Sequence, residues 1–227
     1  MHIQWPMISD RDHVDFVPPQ AMDQVWASGW RHFGRDFFRD SATIMNGCLN
    51  RVIPLRIRLN NWAASKSQRR TVKKNQGFRS EFSEIRMGEE ERNLFNLHKE
   101  RFSDNVPEGL ENFLGEFLDD YPCECLQFSV YDNTRLIACS YLDLGEESVS
   151  SVYGMFDPKY SKYGLGIFTM LEEIKYALDN GYKYYYSGYA TIEPSAYDYK
   201  KSFNEQEFFS WTEWKPMDRL RLFSNQC

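Results

Sequence analysis

The stretch SVSSVYGMFDPKYSKYGLGIFTMLEEIKYALDNGYKYYYSGY, residues 148–189, decides the fold. Its first nine residues are rich in β-branched and aromatic side chains and read as a strand, which Asp157-Pro158 ends. A loop containing Gly164 and Gly166 follows. Leu171, Ile174 and Leu178 then recur at helical spacing, predicting a helix over 167–178 that Gly181 stops, and the aromatic run 182–189 reads as another strand. Strand, glycine loop, helix, strand is a βαβ unit whose helix N-terminus faces the loop. Free N–H groups and the helix dipole converge there, so Lys162, Gly164 and Gly166 are candidates for holding phosphate; a Gly-x-Gly before a helix is equally a capping device.

Upstream, residues 125–144 alternate with period two and read as a hairpin turning at Asp132-Asn133. An antiparallel meander feeding a βαβ unit is the order of the N-acetyltransferase-like fold. Before it, three-and-four spacing predicts helices over 89–98 (Leu94, Leu97) and 110–118 (Leu110, Phe113, Leu114, Phe117), broken at 104–109. Ile53, Leu55, Ile57 and Leu59 alternate with Pro54, Arg56 and Arg58, a half-buried strand with a cationic outer edge. A helix is expected over 20–29 with Gly29 as its stop. In the next segment, GWRHFGRDFFRD, Arg31, Arg35 and Arg39 would share one helical face, with Gly34 weakening the helix. The expected class is α+β: a smaller N-terminal α/β portion over 1–88 carrying a basic segment, then a GNAT-type, acetyltransferase-like catalytic domain over 89–227.

The chain has 227 residues, enough for a substantial core, with 42% apolar and 16% aromatic content and a net charge of −6. Charge is unevenly spread. Between positions 51 and 86, ten Lys/Arg face two acids, a local +8 that leaves −14 on the remainder. The centre of that region is SKSQRRTVKKN, 65–75, where Lys66, Arg69, Arg70, Lys73 and Lys74 occur without an acid. Arg69 with Lys73 and Arg70 with Lys74 are like-charged i,i+4 rows, which cost a few tenths of a kcal/mol each unless an anion binds. A polyanion such as RNA is the natural partner of such a segment, whereas a solvated cationic helix face is the plainer reading. The five cysteines (48, 123, 125, 139, 227) form no expected disulfide framework. Cys123-Glu124-Cys125 has no nearby second pair to complete a zinc site, and reads as two packing thiols. With no signal-like start and no long apolar run, a cytoplasmic protein without membrane contact is expected.

Four separated segments together resemble the arginyl/leucyl-tRNA–protein transferase family: GWRHFGRDFFR, IPLRIRLNNWAASKSQRRTVKKN, SSVYGMFDPKYSKYGLGIFTMLEEI and YYYSGYATIEPSAYDYKKSF. They match in order the family's Gly-x-Arg-Arg-x-Gly stretch, its Ser-Gln-Arg-Arg signature (here Ser67, Gln68, Arg69, Arg70), its Val-Tyr strand with glycine loop, and its Tyr-Lys segment. The resemblance implies transfer of an aminoacyl group from charged tRNA to an N-terminal amine, leucine being the first expectation and arginine the second, with bacterial enzymes of this length acting on N-terminal Asp or Glu. It also implies no cofactor, the aminoacyl-tRNA being the co-substrate. The family's cysteine cluster, associated with metal or iron–sulfur binding, has no counterpart: the matching positions hold Asn46, Leu49 and Val52, Cys48 is out of register, and no metal is expected. Ala190, Ala196 and Tyr197 replace the tryptophan and lysine-methionine of the family's last segment, which implies a changed pocket floor.

An aminoacyl ester is already activated, so the enzyme must position it against a neutral amine and stabilise an oxyanion. An N-terminal amine, with a pKa near 7.7–8.0, is partly neutral at physiological pH, and a strong base is optional. Tyr153, Tyr189 and Tyr199 are candidate oxyanion donors and Asp157 a candidate proton acceptor, each equally readable as packing or strand-ending. Lys200 is the candidate cation for an acidic acceptor, with Arg56 and Arg58 as alternatives and Gly188 beside the substrate. Lys66, Ser67, Gln68, Arg69, Arg70, Lys73 and Lys74, with Lys162, Gly164 and Gly166, are the candidate tRNA contacts. Rival readings are transfer to a small molecule or peptide in a biosynthetic pathway, a non-catalytic RNA-binding module, and an acyl-CoA acetyltransferase. Ser161, where such enzymes carry Arg or Gln, speaks against the last.

Overall fold

A computed structural model describes residues 5–45, 47–102 and 106–220; Asn46, Cys227 and part of the expected 104–109 break lie outside the described residues. Ser9–His13 (β1) precedes Pro19–Ala27 (α1), which begins with Pro19 and ends where Gly29 takes φ 85°. The segment after Gly29 is not a helix. Arg31–Phe33 (β2) and Asp36–Asp40 (β3) form a hairpin to which β1 adds a third strand. Gly34 dictates this: it has φ 52°, and a Cβ on it would lie 3.0 Å from the Gly115 backbone. The three arginines consequently diverge. Arg31 is buried, while Arg35 and Arg39 pair with Asp120 and Asp10 on the surface.

Ala42–Met45 (β4) and Cys48–Arg58 (β5) follow, then Lys66–Asn75 (α2). A capping box starts α2: Gln68 N–H donates to Ser65 Oγ at 3.3 Å, and Ser65 N–H donates to Gln68 Oε1 at 2.8 Å. Arg79–Glu84 (β6) leads into Glu89–Lys99 (α3). The helix expected over 110–118 is a single turn, Glu111–Leu114 (α4), because Gly115 turns the chain with φ 83°. Cys125–Asp132 (β7) and Arg135–Leu144 (β8) form the expected hairpin with Asn133 at φ 54°, followed by Ser148–Phe156 (β9) and Leu165–Asp179 (α5). Tyr184–Thr191 (β10), Gln206–Phe209 (β11) and Trp214–Pro216 (β12) complete the described chain.

The strands form a nine-stranded sheet in the order β12-β11-β5-β10-β9-β8-β7-β6, with β4 on β5. Every pairing is antiparallel except β9 with β10. That parallel pairing covers only 184–186 against 148–150. Beyond it the strands part: the rest of β9 pairs with β8 alone, and 188–191 with β5 alone. A meander, a crossover helix and two parallel strands that diverge make this an N-acetyltransferase-like α+β fold. β5 is interior, between β10 and β11, so its arginines do not line an outer edge; and a boundary at 88/89 falls within one continuous sheet.

Period-two alternation divides the core between two faces. Leu165, Phe168, Leu171 and Ile174 of α5 pack on Val130, Ala138, Leu142, Val149 and Tyr185, while Met22, Trp26, Leu94 and Phe95 of α1 and α3 pack with Cys139, Tyr141 and Met155 on the other. Each such large side chain contributes roughly 1.5–3 kcal/mol by burial, which is what holds the sheet between its helices. No helix among the described residues is long and apolar enough to cross a membrane.

Candidate active site

A cationic cleft opens where β9 and β10 part. The β10–β5 register shifts between Tyr186 and Gly188, and Gly188 takes φ 91°. A Cβ at Gly188 would lie 3.3 Å from Lys200 Nζ and 3.8 Å from Arg31 Nη2, so glycine lets two cations approach the backbone from one side. Arg31 reaches in from β2 and donates to Ser150 Oγ and the Ser151 carbonyl on β9. Lys200 comes from the 3₁₀ turn Asp198–Lys201, its ammonium 5.5 Å from the Tyr197 ring centroid. No acid lies within ion-pair distance of Lys200 among the described residues.

Glu173 of α5 is fully buried, and its charge acts on Lys200. Its Oε2 accepts a hydrogen bond from the Tyr185 hydroxyl at 2.6 Å, and Oε1 has no hydrogen-bond partner among the described residues. Burial lifts the Glu173 carboxyl to about 7, against the pull of the Ser140, Tyr185 and Ser151 hydroxyls and of Lys200. Burial and the Arg31 charge together lower Lys200 to about 8, Glu173 opposing them. Near neutrality two cations thus stand near one half-ionised acid, an environment that favours an anion and the neutral form of a nearby amine.

The structure distributes the sequence-predicted residues unequally. Lys200 and Gly188 lie together. Tyr153 is half-buried, stacked on Phe113 at 3.8 Å; its hydroxyl has no partner among the described residues, and burial raises its pKa. Tyr199 is exposed. The Tyr189 hydroxyl donates to the Gly29 carbonyl at 2.7 Å, tying β10 to the N-terminal hairpin. Asp157 is buried with both oxygens engaged, Oδ1 by the Lys159 N–H at 2.9 Å and Oδ2 by Arg135 at 2.5 Å, which makes it a cap of the loop. Arg56 and Arg58 are not gathered with Lys200. Arg56 pairs with Glu207 at 2.8 Å between the Tyr184 and Trp214 rings, and Arg58 with Glu205 at 2.8 Å. At the positions matching the family's cysteine cluster, Leu49 and Val52 have no ligand atom and Cys48 is exposed, so these residues do not fit a cluster.

Sequence reasoning missed Glu173, Tyr185 and the role of Arg31. Glu173 did leave a signal: it is an acid set among Met170, Leu171, Ile174 and Ala177, on the stripe that α5 buries. Arg31 falls at helical spacing with Arg35 and Arg39, which hides its place on a strand that reaches another strand.

Beside the cleft lies a second surface. Lys74 donates to the Lys162 carbonyl, Asn75 Nδ2 to the Tyr163 carbonyl at 3.0 Å, and a Cβ on Gly164 would meet Thr71 at 3.6 Å, so α2 lies against the glycine loop. Lys66, Ser67, Arg69, Arg70, Lys73, Lys74 and Lys162 are exposed. None of these cations has an acidic partner among the described residues. Gln68 differs from its neighbours, buried in the capping box. Gly164 takes φ 68° at the start of α5, whereas Gly166 sits in its first turn.

Known proteins resemble this chain over most of its length. An aspartate/glutamate leucyltransferase of Campylobacter jejuni is 25% identical over 235 residues, spanning 98% of this chain and 93% of its own. Relatives of the same name from Helicobacter hepaticus (23%, covering 86% and 81%) and Leptospira interrogans (28%, covering 82% and 72%) also match. Solved structures superpose loosely: FemX at 12% identity and TM-score 0.48 over 83% of this chain and 65% of its own, and L-PGS from Bacillus licheniformis at 14% and 0.47 over 77% and 51%. The family model described as arginine-tRNA-protein transferase, C terminus, matches residues 90–210, more than half of the sequence, and the chain belongs to that family.

Proposed function

We propose that this protein is an aminoacyl-tRNA-dependent aminoacyltransferase that moves leucine from charged tRNA to the N-terminal amine of a protein or peptide beginning with Asp or Glu. The reading is carried by the convergence of Lys200 and Arg31 at Gly188, in the mouth between diverging strands. Two cations there suit the carboxylate of an acidic first residue, as a charge-assisted hydrogen-bonding pair. The ester enters along the mouth; the unpartnered Tyr153 hydroxyl is the candidate oxyanion donor, and positioning supplies most of the rate. No ATP is needed, because the bond broken is the ester between aminoacyl group and tRNA, the bond formed is an amide, and the tRNA hydroxyl takes up the proton the amine loses. The cations of α2 with Lys162 contact tRNA phosphates, and the reaction takes place in the cytoplasm, where charged tRNA is found and N-degrons are made.

The test is transfer of labelled leucine or arginine from the matching charged tRNA to peptides beginning with Asp, Glu or Met. Leucine transfer to the acidic peptides alone is expected. Arginine transfer would reassign the donor, and transfer to none of the peptides would overturn the reading. A Lys200→Ala variant that still preferred acidic acceptors would remove Lys200 from acceptor recognition.

A further inference from the structure

Behind the cleft, three side chains from distant parts of the sequence converge in the core. His32 Nε2 lies 2.8 Å from Asp143 Oδ2 and 3.9 Å from Cys123 Sγ, and the three ligand atoms all lie within 4.8 Å of one another. His32 and Asp143 are 2% and 1% exposed, and Cys123 9%. The outer contacts fix the polarity of the cluster. His32 Nδ1–H donates to the Gly34 carbonyl at 2.8 Å, and the Tyr121 hydroxyl donates to Asp143 Oδ1 at 2.8 Å. With its proton on Nδ1, neutral His32 presents the Nε2 lone pair to a carboxylate oxygen, a repulsion that only a proton or a cation between them relieves.

Two features favour a metal. A Cys-His-Asp relay uses opposite nitrogens of the ring, one for thiol and one for carboxylate, whereas here thiol and carboxylate face the same Nε2. The second feature is the orienting pair: a backbone carbonyl on the far nitrogen of a histidine and a hydroxyl on the free oxygen of a carboxylate are the usual outer partners of metal ligands. Cys125 follows two residues after Cys123 as the first residue of β7; its thiol lies 3.7 Å from the Leu126 carbonyl, with the Asp143 charge nearby.

We infer that His32 Nε2, Asp143 Oδ2 and the Cys123 thiolate bind one zinc ion, with the Cys125 thiolate turning from the Leu126 carbonyl to complete the set, clamping β2 to the β7–β8 hairpin and so fixing Arg31, the neighbour of His32, at the cleft. Zinc bonds of about 2.0–2.3 Å at tetrahedral angles separate ligands by about 3–4 Å, so loading replaces the His32–Asp143 hydrogen bond with two metal bonds and releases to solvent the two thiol protons and the proton held between His32 and Asp143. The site uses none of the positions of the family's cysteine cluster.

The test is the metal content of the tag-free protein purified under reductant, measured by plasma mass spectrometry. About one zinc per chain is expected, with a Cys48→Ser control unchanged and Cys123→Ser and His32→Ala each reduced at least tenfold. Where those variants fail to fold, cobalt replaces zinc in the wild-type protein, and a thiolate-to-cobalt charge-transfer band with tetrahedral visible bands is expected. Less than about a tenth of an equivalent of zinc, both as purified and after addition of equimolar zinc, would overturn the site and leave a protonated His32 paired with Asp143. Zinc that survives both substitutions in folded protein would overturn it as well. Because metal content is read without tRNA or acceptor, its outcome is independent of the transferase reading.

Discussion

Lys200 and Glu173 titrate close to the working pH, and in a way that acceptor chemistry makes visible. The cation at Lys200 is lost as pH rises through about 8, while Glu173 becomes charged through about 7. Acceptor kcat/KM is therefore expected to fall above pH 8, after a rise that follows deprotonation of the acceptor amine. Lys200→Arg should remove the falling limb in a pH profile, because guanidinium stays charged, even if the maximum drops. Glu173 adds a stability signature. Its folded pKa is raised above the ordinary 4.5, so its contribution is present below that value and is lost as pH rises to about 7, a cost of about 3 kcal/mol once ionised. Glu173→Gln should flatten that loss in denaturant unfolding measured at pH 5 and pH 8. Lys200 stands out in the sequence through its Tyr-Lys pair; the Arg31 and Glu173 charges that act on it do not, because three separate elements must pack to bring them into range.

The element that carries most charge, α2, was the most legible, since its cap and its cations are contiguous. Its capping box and lack of acidic partners predict that reversing Arg69, Arg70, Lys73 and Lys74 to Glu leaves the fold intact and destroys an anion site. Binding of charged tRNA should weaken, and the slope of log affinity against log salt should become shallower by about 3, four phosphate contacts being removed. Unchanged binding in a filter assay would move the tRNA elsewhere. The hairpin of β2 and β3 was illegible for the opposite reason. Its arginines fall at helical spacing, and only the close approach of Gly34 to Gly115 shows that the chain turns there. Gly34→Ala should destabilise by at least about 1–2 kcal/mol, from the left-handed backbone alone, with loss of activity beyond the loss of folded protein, since the same turn sets Arg31. Thermal melts alongside transfer assays separate the two effects.

At the scale of the molecule, the meander and βαβ unit were legible because strand pairing there is between neighbours in sequence. The position of β5 was not, because alternation records that a strand is half-buried and not which strands flank it. Its place between β10 and β11 has a consequence for how the protein unfolds. Without residues 1–88, β10 would lose its pairing along 52–58, and its aromatic edge would face solvent while β11 lost its only route into the sheet. A fragment of 89–227 is thus expected to aggregate, since unpaired, apolar edges template intermolecular pairing. The intact chain is expected to unfold in one transition, with near-ultraviolet circular dichroism and Trp fluorescence coincident in denaturant. Two separated transitions, or a soluble 89–227 fragment with native secondary structure, would show that the sheet tolerates division at the point where sequence composition changes.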